Sequence, residues 1–331
     1  MILDGHSEAH IDDAVRLLCA GELVAFPTET VYGLGADAGN DSAVAKIFTA
    51  KGRPSEHPLI VHVADVEAAD RFAVDVPGFA AALMRNFWPG PLTLILPRRD
   101  GVAAAAAGGQ ASIGLRCPAH PVAQALLAAC ARATPCVLGL AAPSANLFGR
   151  VSPTTAGHVQ AEFGDGLLVL DGGPCEIGIE STIVDCTRGV PVLLRPGVLT
   201  RPQIEAACGQ RLRLPHELAD AAPRASGTLE AHYAPRAKVR LMTAQALQTA
   251  LDVLGADAAN IATYSHAVLQ TRSRSVLRQR MPDDAGETAH QLFALLRSFD
   301  DQGIRLIWIE LPPDTPEWEG VRDRLQRAAA G

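Results

Sequence analysis

Val24-Ala25-Phe26-Pro27-Thr28-Glu29-Thr30-Val31-Tyr32-Gly33-Leu34-Gly35 runs from three apolar residues straight into two hydroxyls, a carboxylate and a phenol. The apolar triplet stopped by Pro reads as a buried strand. The polar residues then fall on a turn at its C-terminal end, where α/β sheets bind ligands. The same grammar returns at residues 59–63, 93–96, 137–142, 167–170, 182–185 and 192–194, short apolar runs bounded by Gly, Pro or Asp. Helical patterns fill several of the intervals, over 11–20, 42–50, 77–86, 121–133 and 154–163. This alternation predicts an α/β fold. The close spacing of 182–185 and 192–194 suits a hairpin, so mixed strand directions are expected.

At roughly 100–200 residues per domain, a chain of 331 residues predicts two domains. After Pro196-Gly197 and a short helix over 201–208, residues 215–235 hold scattered charges, three prolines and no periodicity, which marks a linker. Beyond it, strands are expected at 239–242, 261–264 and 304–309, and helices at 243–254, 283–299 and 318–329, the pattern of a small doubly wound α/β domain. The expected organisation is a catalytic domain at 1–210, a linker and lid at 211–237 and the small domain at 238–331. The alanine tract at 103–107, beside Gly108-Gly109, reads as a mobile loop or a short helix.

Apolar residues make up 48% of the chain and charged residues 20%, with 29 Gly and 23 Pro, a folded and loop-rich composition that excludes disorder and collagen-like structure. A net charge of -7 and a pI near 5.8 argue against coating nucleic acid or anionic membrane through the overall field. No apolar run is long enough to span a bilayer, and the first residues carry acids and His instead of a signal pattern, so a cytoplasmic protein is expected. The seven cysteines form no C-x-x-C pair and are expected as buried free thiols. The ten histidines show no H-E-x-x-H pairing, so a transition-metal site is not expected.

Gly33-Leu34-Gly35-Ala36-Asp37-Ala38 matches the G-x-G-x-x-A form of a dinucleotide fingerprint, but residues 27–32 separate it from the preceding strand. No Walker loop exists either. Cations draw more attention, because only three lysines accompany 26 arginines. Lys51-Gly52-Arg53-Pro54 closes a helix, which alone is an ordinary cationic stop signal. Arg116 and Arg195, in Gly114-Leu115-Arg116-Cys117-Pro118 and Leu194-Arg195-Pro196-Gly197, also stand at strand ends. Together these cations suggest a polyanion pocket in an acidic protein. Ala142-Pro143-Ser144-Ala145-Asn146 follows a strand and leads through Ser152 and Thr154 into a helix, whose N-terminus suits either capping or an anion.

These motifs, with His57-Pro58-Leu59-Ile60-Val61-His62, Trp88-Pro89-Gly90-Pro91-Leu92-Thr93 and Glu180-Ser181-Thr182-Ile183-Val184-Asp185, resemble the YrdC-like family. Ser226-Gly227-Thr228-Leu229-Glu230-Ala231-His232-Tyr233-Ala234-Pro235 resembles the linker of its two-domain members, so the resemblance covers nearly the whole chain. It implies a twisted mixed-sheet domain with a concave ligand pocket, followed by a smaller Rossmann-like domain. It also implies the activity of a threonylcarbamoyl-AMP synthase, a nucleotidyltransferase joining L-threonine, bicarbonate or CO2, and ATP, with Mg²⁺ and release of pyrophosphate. The adenylate would pass to a downstream threonylcarbamoyl transferase complex for tRNA modification.

By motif, the resemblance makes Lys51, Arg53, Ser144 and Asn146 the catalytic group. Thr30, His62, Arg116 and Ser181 would hold threonine, and Arg53, His57, Ser144, Ser152, Arg195 and Tyr233 would hold ATP, with Mg²⁺ carried on its phosphates. His57 stands where many relatives have Asn, and imidazole can still donate to phosphate. Lys51, Arg53 and Ser144, read as exposed polar groups, are expected to lose most activity on truncation to Ala while stability changes by within about 0.5 kcal/mol. The linker is expected to fold over the nucleotide and bring Tyr233 to it. Carbamoyl transfer in metal-centre maturation and an RNA-binding regulator of the same fold are the alternatives, and direct tRNA contact stays open. The former would call for zinc-finger cysteines, and the latter for an aromatic stripe, neither of which is evident.

Overall fold

A computed structural model describes residues 1–218, 222–227 and 232–331. The chain divides into two units, Met1–Phe148 with Ser152–Thr228, and Gly149–Val151 with Leu229–Gly331.

The first unit opens with β1 (Ile2–Asp4), α1 (Glu8–Cys19), β2 (Val24–Phe26), β3 (Gly33–Asp37), α2 (Asp41–Lys51) and β4 (Ile60–His62). It continues through α3 (Val66–Ala69), α4 (Gly78–Phe87), β5 (Leu92–Pro97), β6 (Ser112–Arg116), α5 (Pro121–Arg132) and β7 (Leu140–Ala141). It closes with α6 (Ala156–Phe163), β8 (Leu168–Asp171), β9 (Thr182–Asp185), β10 (Val192–Arg195) and α7 (Arg201–Cys208). Among the described residues these strands form one ten-stranded sheet in the order β1-β8-β2-β3-β7-β4-β6-β5-β9-β10. The directions are mixed: β4 and β6 run parallel, as do β5 and β9, whereas β9 and β10 form the expected antiparallel pair.

Both faces of the sheet are covered, which is why β2 reads as a continuous apolar triplet. Val24 and Phe26 pack with Leu18 of α1 and Leu126 of α5, while Ala25 packs on the opposite side with Val44 and Ile47 of α2. Local signals set the ends of α2. The Asn40 side chain accepts from the backbone N–H groups of Ser42 and Ala43, and Gly52 stops the helix at φ 62°, a left-handed conformation open to glycine. Lys51 is thereby held in the last turn with Arg53 just beyond it.

The glycines of the fingerprint-like segment belong to strand β3, and a Cβ on Gly35 would meet Phe26 Cε1 at 2.7 Å, so close packing on β2 explains that glycine. Three expectations need correction. The strand expected over 137–142 shrinks to Leu140–Ala141, because the Val137 N–H turns back to the Cys130 carbonyl at the end of α5. The alanine tract is a run of turns with Ala103, Ala106 and Ala107 buried, anchored where Leu59 N–H donates to the Ala106 carbonyl at 2.7 Å. All seven cysteines are free, but Cys136 is exposed and Cys19 and Cys208 are half-buried, since they sit on a connecting segment and on final helical turns.

The second unit comprises β11 (Lys238–Met242), α8 (Ala244–Leu254), β12 (Ile261–Ser265), β13 (Leu277–Arg280), α9 (Ala285–Asp301), β14 (Leu306–Glu310) and α10 (Glu319–Ala329). Its sheet is parallel throughout, in the order β11-β14-β12-β13. β13 had no apolar run to announce it: Leu277-Arg278-Gln279-Arg280 is a polar strand at the sheet edge. No helix among the described residues is long and apolar enough to cross a membrane.

Candidate active site

The turn after β2 is built around a hydroxyl. Thr28 Oγ1 accepts from the backbone N–H groups of Thr30 and Val31, each at 3.2 Å, donates to the Val31 carbonyl and lies 2.9 Å from Thr30 Oγ1. That fold of the chain turns Glu29 and Thr30 toward the end of β6. Arg116 meets them there, its Nη2 2.6 Å from Glu29 Oε1 and its Nη1 donating to Thr30 Oγ1 at 2.9 Å. Glu29 Oε2 also accepts from the Ala119 N–H at 3.1 Å. Both members of the ion pair are buried, with side chains 4% and 6% exposed. The β4–β6 register places His62 directly beside Arg116. Burial, and next the Arg116 charge, hold the His62 imidazole down to about 3, so it is a neutral ring.

Lys51 reaches from the end of α2 into the loop after β7. Its Nζ donates to the Ser144 carbonyl at 2.6 Å and to the Asn146 carbonyl, while its own carbonyl accepts from the Phe148 N–H. Burial, and then the Arg53 charge, hold its ammonium well below the ordinary lysine range. Arg53 Nη2 donates to the Pro58 carbonyl at 2.9 Å and to Ser226 Oγ at 3.3 Å. Its guanidinium lies 5.7 Å from the Phe148 ring centre, and the His57 ring meets the same phenyl edge-on at 5.5 Å. Lys51 and Arg53 are therefore buried, not exposed as their turn position suggests, because the 144–148 loop and Ser226 cover them. Ser144 is half-buried, and only its carbonyl serves Lys51.

Arg195, at the end of β10, grips the next loop with a fork: Nε and Nη2 both donate to the Ser181 carbonyl, at 3.1 and 2.9 Å. Nη2 also lies 3.2 Å from Ser181 Oγ, which pairs with Thr93 Oγ1 at 2.8 Å. Nη1 donates to the Ser226 carbonyl at 3.0 Å. Ser226 thus joins Arg195 to Arg53 through one residue. Ser152 bonds to the Glu180 carboxylate, and Glu180 in turn acts electrostatically on Lys51. Backbone links tie the loops together, with Ala145 N–H donating to the Tyr32 carbonyl and Tyr32 N–H to that of Pro153.

The fold thus gathers Thr30, His62 and Arg116 in one group, and Lys51, Ser144 and Asn146 in another. Arg53 lies with His57, Ser181 with Arg195, and Ser152 with Glu180. Tyr233 belongs to the second unit, where it is buried at φ 60° with its ring stacked on Phe293 at 5.5 Å under the Arg324 guanidinium. Residues 228–231, the middle of the expected lid, lie outside the described residues. Sequence reasoning gave no role to Glu29, Thr93, Glu180 or Ser226. The carboxylate between two threonines was the available signal for Glu29; partners as distant as Thr93 and Ser181 left none.

A family model described as "Telomere recombination" (Sua5/YciO/YrdC) matches residues 16–197, and one described as "Threonylcarbamoyl-AMP synthase, C-terminal domain" matches residues 199–330. The chain belongs to the Sua5/YciO/YrdC family. It is 39% identical to a threonylcarbamoyl-AMP synthase of Bacillus subtilis (strain 168), across 98% of this chain and 94% of that protein. A threonylcarbamoyl-AMP synthase of Pyrococcus abyssi is 37% identical, across 96% and 93% of the two chains. The crystal structure of P. abyssi Sua5 complexed with L-threonine matches with a TM-score of 0.87 and 35% identity, covering 99% of this chain and 97% of that one. Like these relatives, the chain is an enzyme of the nucleotidyltransferase type.

Proposed function

We propose that this enzyme joins L-threonine, bicarbonate or CO2, and ATP into L-threonylcarbamoyladenylate and releases pyrophosphate, supplying threonylcarbamoyl groups for tRNA modification in the cytoplasm. The observation that carries it is the presence of two kinds of site in one unit: a buried Arg116–Thr30 pair suited to an amino acid, and the buried cations Lys51, Arg53 and Arg195 suited to a triphosphate. In this reading Arg116 and Thr30 hold the threonine carboxylate and hydroxyl, with Ser181 and the neutral His62 beside them. The threonine amine captures CO2 as a carbamate. A carbamate oxygen attacks the α-phosphorus, the phosphoanhydride bond breaks, and pyrophosphate leaves. Lys51, Arg53 and Arg195 stabilise charge that grows on the phosphoryl oxygens, and fixed donors serve this purpose without reorganising. Ser144, Asn146, Ser152 and His57 complete the ATP contacts.

Guanidinium, ammonium and hydroxyl groups dominate this donor set, with Glu180 engaged by Ser152, and no cluster of three metal-ligating His, Cys, Asp or Glu residues occurs among the described residues. Such a set suits Mg²⁺ carried on phosphate oxygens better than a cation caged by protein. Bound there, Mg²⁺ would neutralise charge on the departing pyrophosphate. Ser226 holds donors of both Arg53 and Arg195 that phosphates would claim, which supports a linker that rearranges at Ser226 as ATP enters. The downstream acceptor of the product is a threonylcarbamoyl transferase complex.

Purified protein given ATP, Mg²⁺ and labelled bicarbonate should release pyrophosphate only when threonine is present, with label trapped in an AMP-linked product. Stoichiometric ADP, or pyrophosphate release indifferent to threonine and bicarbonate, refutes the reaction.

A further inference from the structure

The sheet of the second unit departs from the usual βαβ plan at one connection. Parallel neighbours are normally joined through a helix laid across the sheet, yet residues 266–276 link β12 to β13 without one. α8 packs Leu247 and Leu251 on Ile261 and Trp308, and Thr263 stands in register with Trp308 on that same face. Further along, the register pairs Thr263 with Arg278 and Ser265 with Arg280. Two hydroxyls and two guanidinium groups consequently line a cavity of about 260 Å³, together with Ala267 and Val268 of the helix-free connection.

We propose that this cavity is a second anion site, taking the phosphoryl group of a small phosphorylated compound. Ser265 and Arg280 end their strands, so the cavity opens at the C-terminal edge of a parallel sheet, the edge at which α/β folds bind ligands. Thr263 and Ser265 are buried whereas Arg278 and Arg280 are exposed, an arrangement of hydroxyls at the floor and planar cationic forks at the mouth that matches phosphate. Ser265 Oγ donates to Glu310 Oε2 at 2.5 Å and accepts from the Ala267 N–H at 3.0 Å, and that N–H also donates to Glu310 Oε2 at 3.1 Å, so an entering phosphoryl oxygen takes both donors from this carboxylate. Arg278 donates one N–H to the Leu269 carbonyl at 3.1 Å, and Arg280 lies 3.7 Å from Asp283, so both forks are oriented at the rim. Residues 258–282 contain four arginines, but Asp283 and Asp284 follow directly and Glu310 bonds Ser265, so the attraction for an anion rests on Arg278 and Arg280 at the mouth.

Size and lining select a small compound over a nucleic acid strand. The volume lies just below the usual range of about 300–1,000 Å³ for drug-sized ligands, room for a phosphate and little more than a pentose. No aromatic ring lines the cavity, so it offers no stacking platform for successive bases.

Amide NMR spectra of the full chain, titrated with inorganic pyrophosphate and separately with AMP, test this residue by residue. The amides of Thr263, Ser265, Ala267, Arg278 and Arg280 should shift saturably with at least one probe. Binding at the first unit reports on other amides, so the outcome is independent of the proposed reaction. The Arg278→Gln/Arg280→Gln variant should weaken these shifts by about tenfold or more. Thr263→Val, nearly isosteric, should weaken them too while leaving the remaining spectrum in place. Unmoved amides at millimolar probe, or unchanged affinity in both variants, would overturn the proposal. Tighter binding of a single-stranded RNA oligonucleotide at the same amides would also overturn it, in favour of a nucleic-acid surface.

Discussion

Truncating Arg116 to Ala should damage both the fold of the first unit and the proposed threonine site. The side chain removed makes a 2.6 Å ion pair with Glu29 and donates to Thr30 Oγ1 at 2.9 Å and to the Gly90 carbonyl at 3.3 Å. Glu29, its side chain 6% exposed, would be left as a buried carboxylate without its counterion. Orphaning one member of such a pair costs about 3–5 kcal/mol. At about 2–4 °C per kcal/mol for a unit of this size, the melting temperature should fall by about 6–20 °C. Adding Glu29→Gln and placing Met at 116 removes the orphaned charge while the Gln oxygen can still accept from Ala119 N–H, so most of that loss should return. Threonine affinity should not return, because the guanidinium fork is still missing; a loss of about a hundredfold is expected in both variants. Calorimetric melting and threonine titration of the single and double variants read these effects separately. An Arg116→Ala shift under about 2 °C, no larger than a surface truncation produces, would refute the buried-pair argument. Unchanged threonine affinity would refute the assignment.

Lys51→Ala removes the ammonium that bridges the Ser144 and Asn146 carbonyls and should cost about 1–3 kcal/mol besides activity, whereas Ser144→Ala should stay within about 0.5 kcal/mol yet lose turnover; urea midpoints and pyrophosphate release distinguish them. Arg195→Lys should also be impaired, because an ammonium cannot reproduce the fork on Ser181. His62 has its folded pKa lowered from 6.5 to about 3, so between those values the unfolded chain binds the extra proton and stability falls as pH falls. Full stability is present above 6.5, and His62→Gln should flatten the urea midpoint over that window by up to about 1.4 kcal/mol per pH unit relative to the parent. ATP, Mg²⁺ and threonine together should change the rate at which protease cuts the 222–235 segment; equal rates with and without them would leave that segment a tether.

Local features of the sequence determined where elements start and stop and which motifs stand at their ends. Asn40 and Gly52 bound α2 through backbone contacts made within a few residues, so the location of Lys51 and Arg53 was legible from spacing alone. The α/β alternation was legible for the same reason, since a strand buried on both faces must be apolar along its length. Strands held by position escaped that reading: β3 is rich in glycine because Phe26 lies against it, and β13 is polar because it borders the sheet. Only the tertiary structure decided what the motif residues touch. Glu29 meets Arg116 across 87 positions, Ser226 reaches Pro58 across 168, and neither contact leaves a periodic trace. The same long-range packing placed Tyr233 against Phe293 and Arg324 and buried Lys51. Short-range hydrogen bonding and periodicity are written in consecutive residues, whereas the partner of a buried charge depends on which distant segment closes over it.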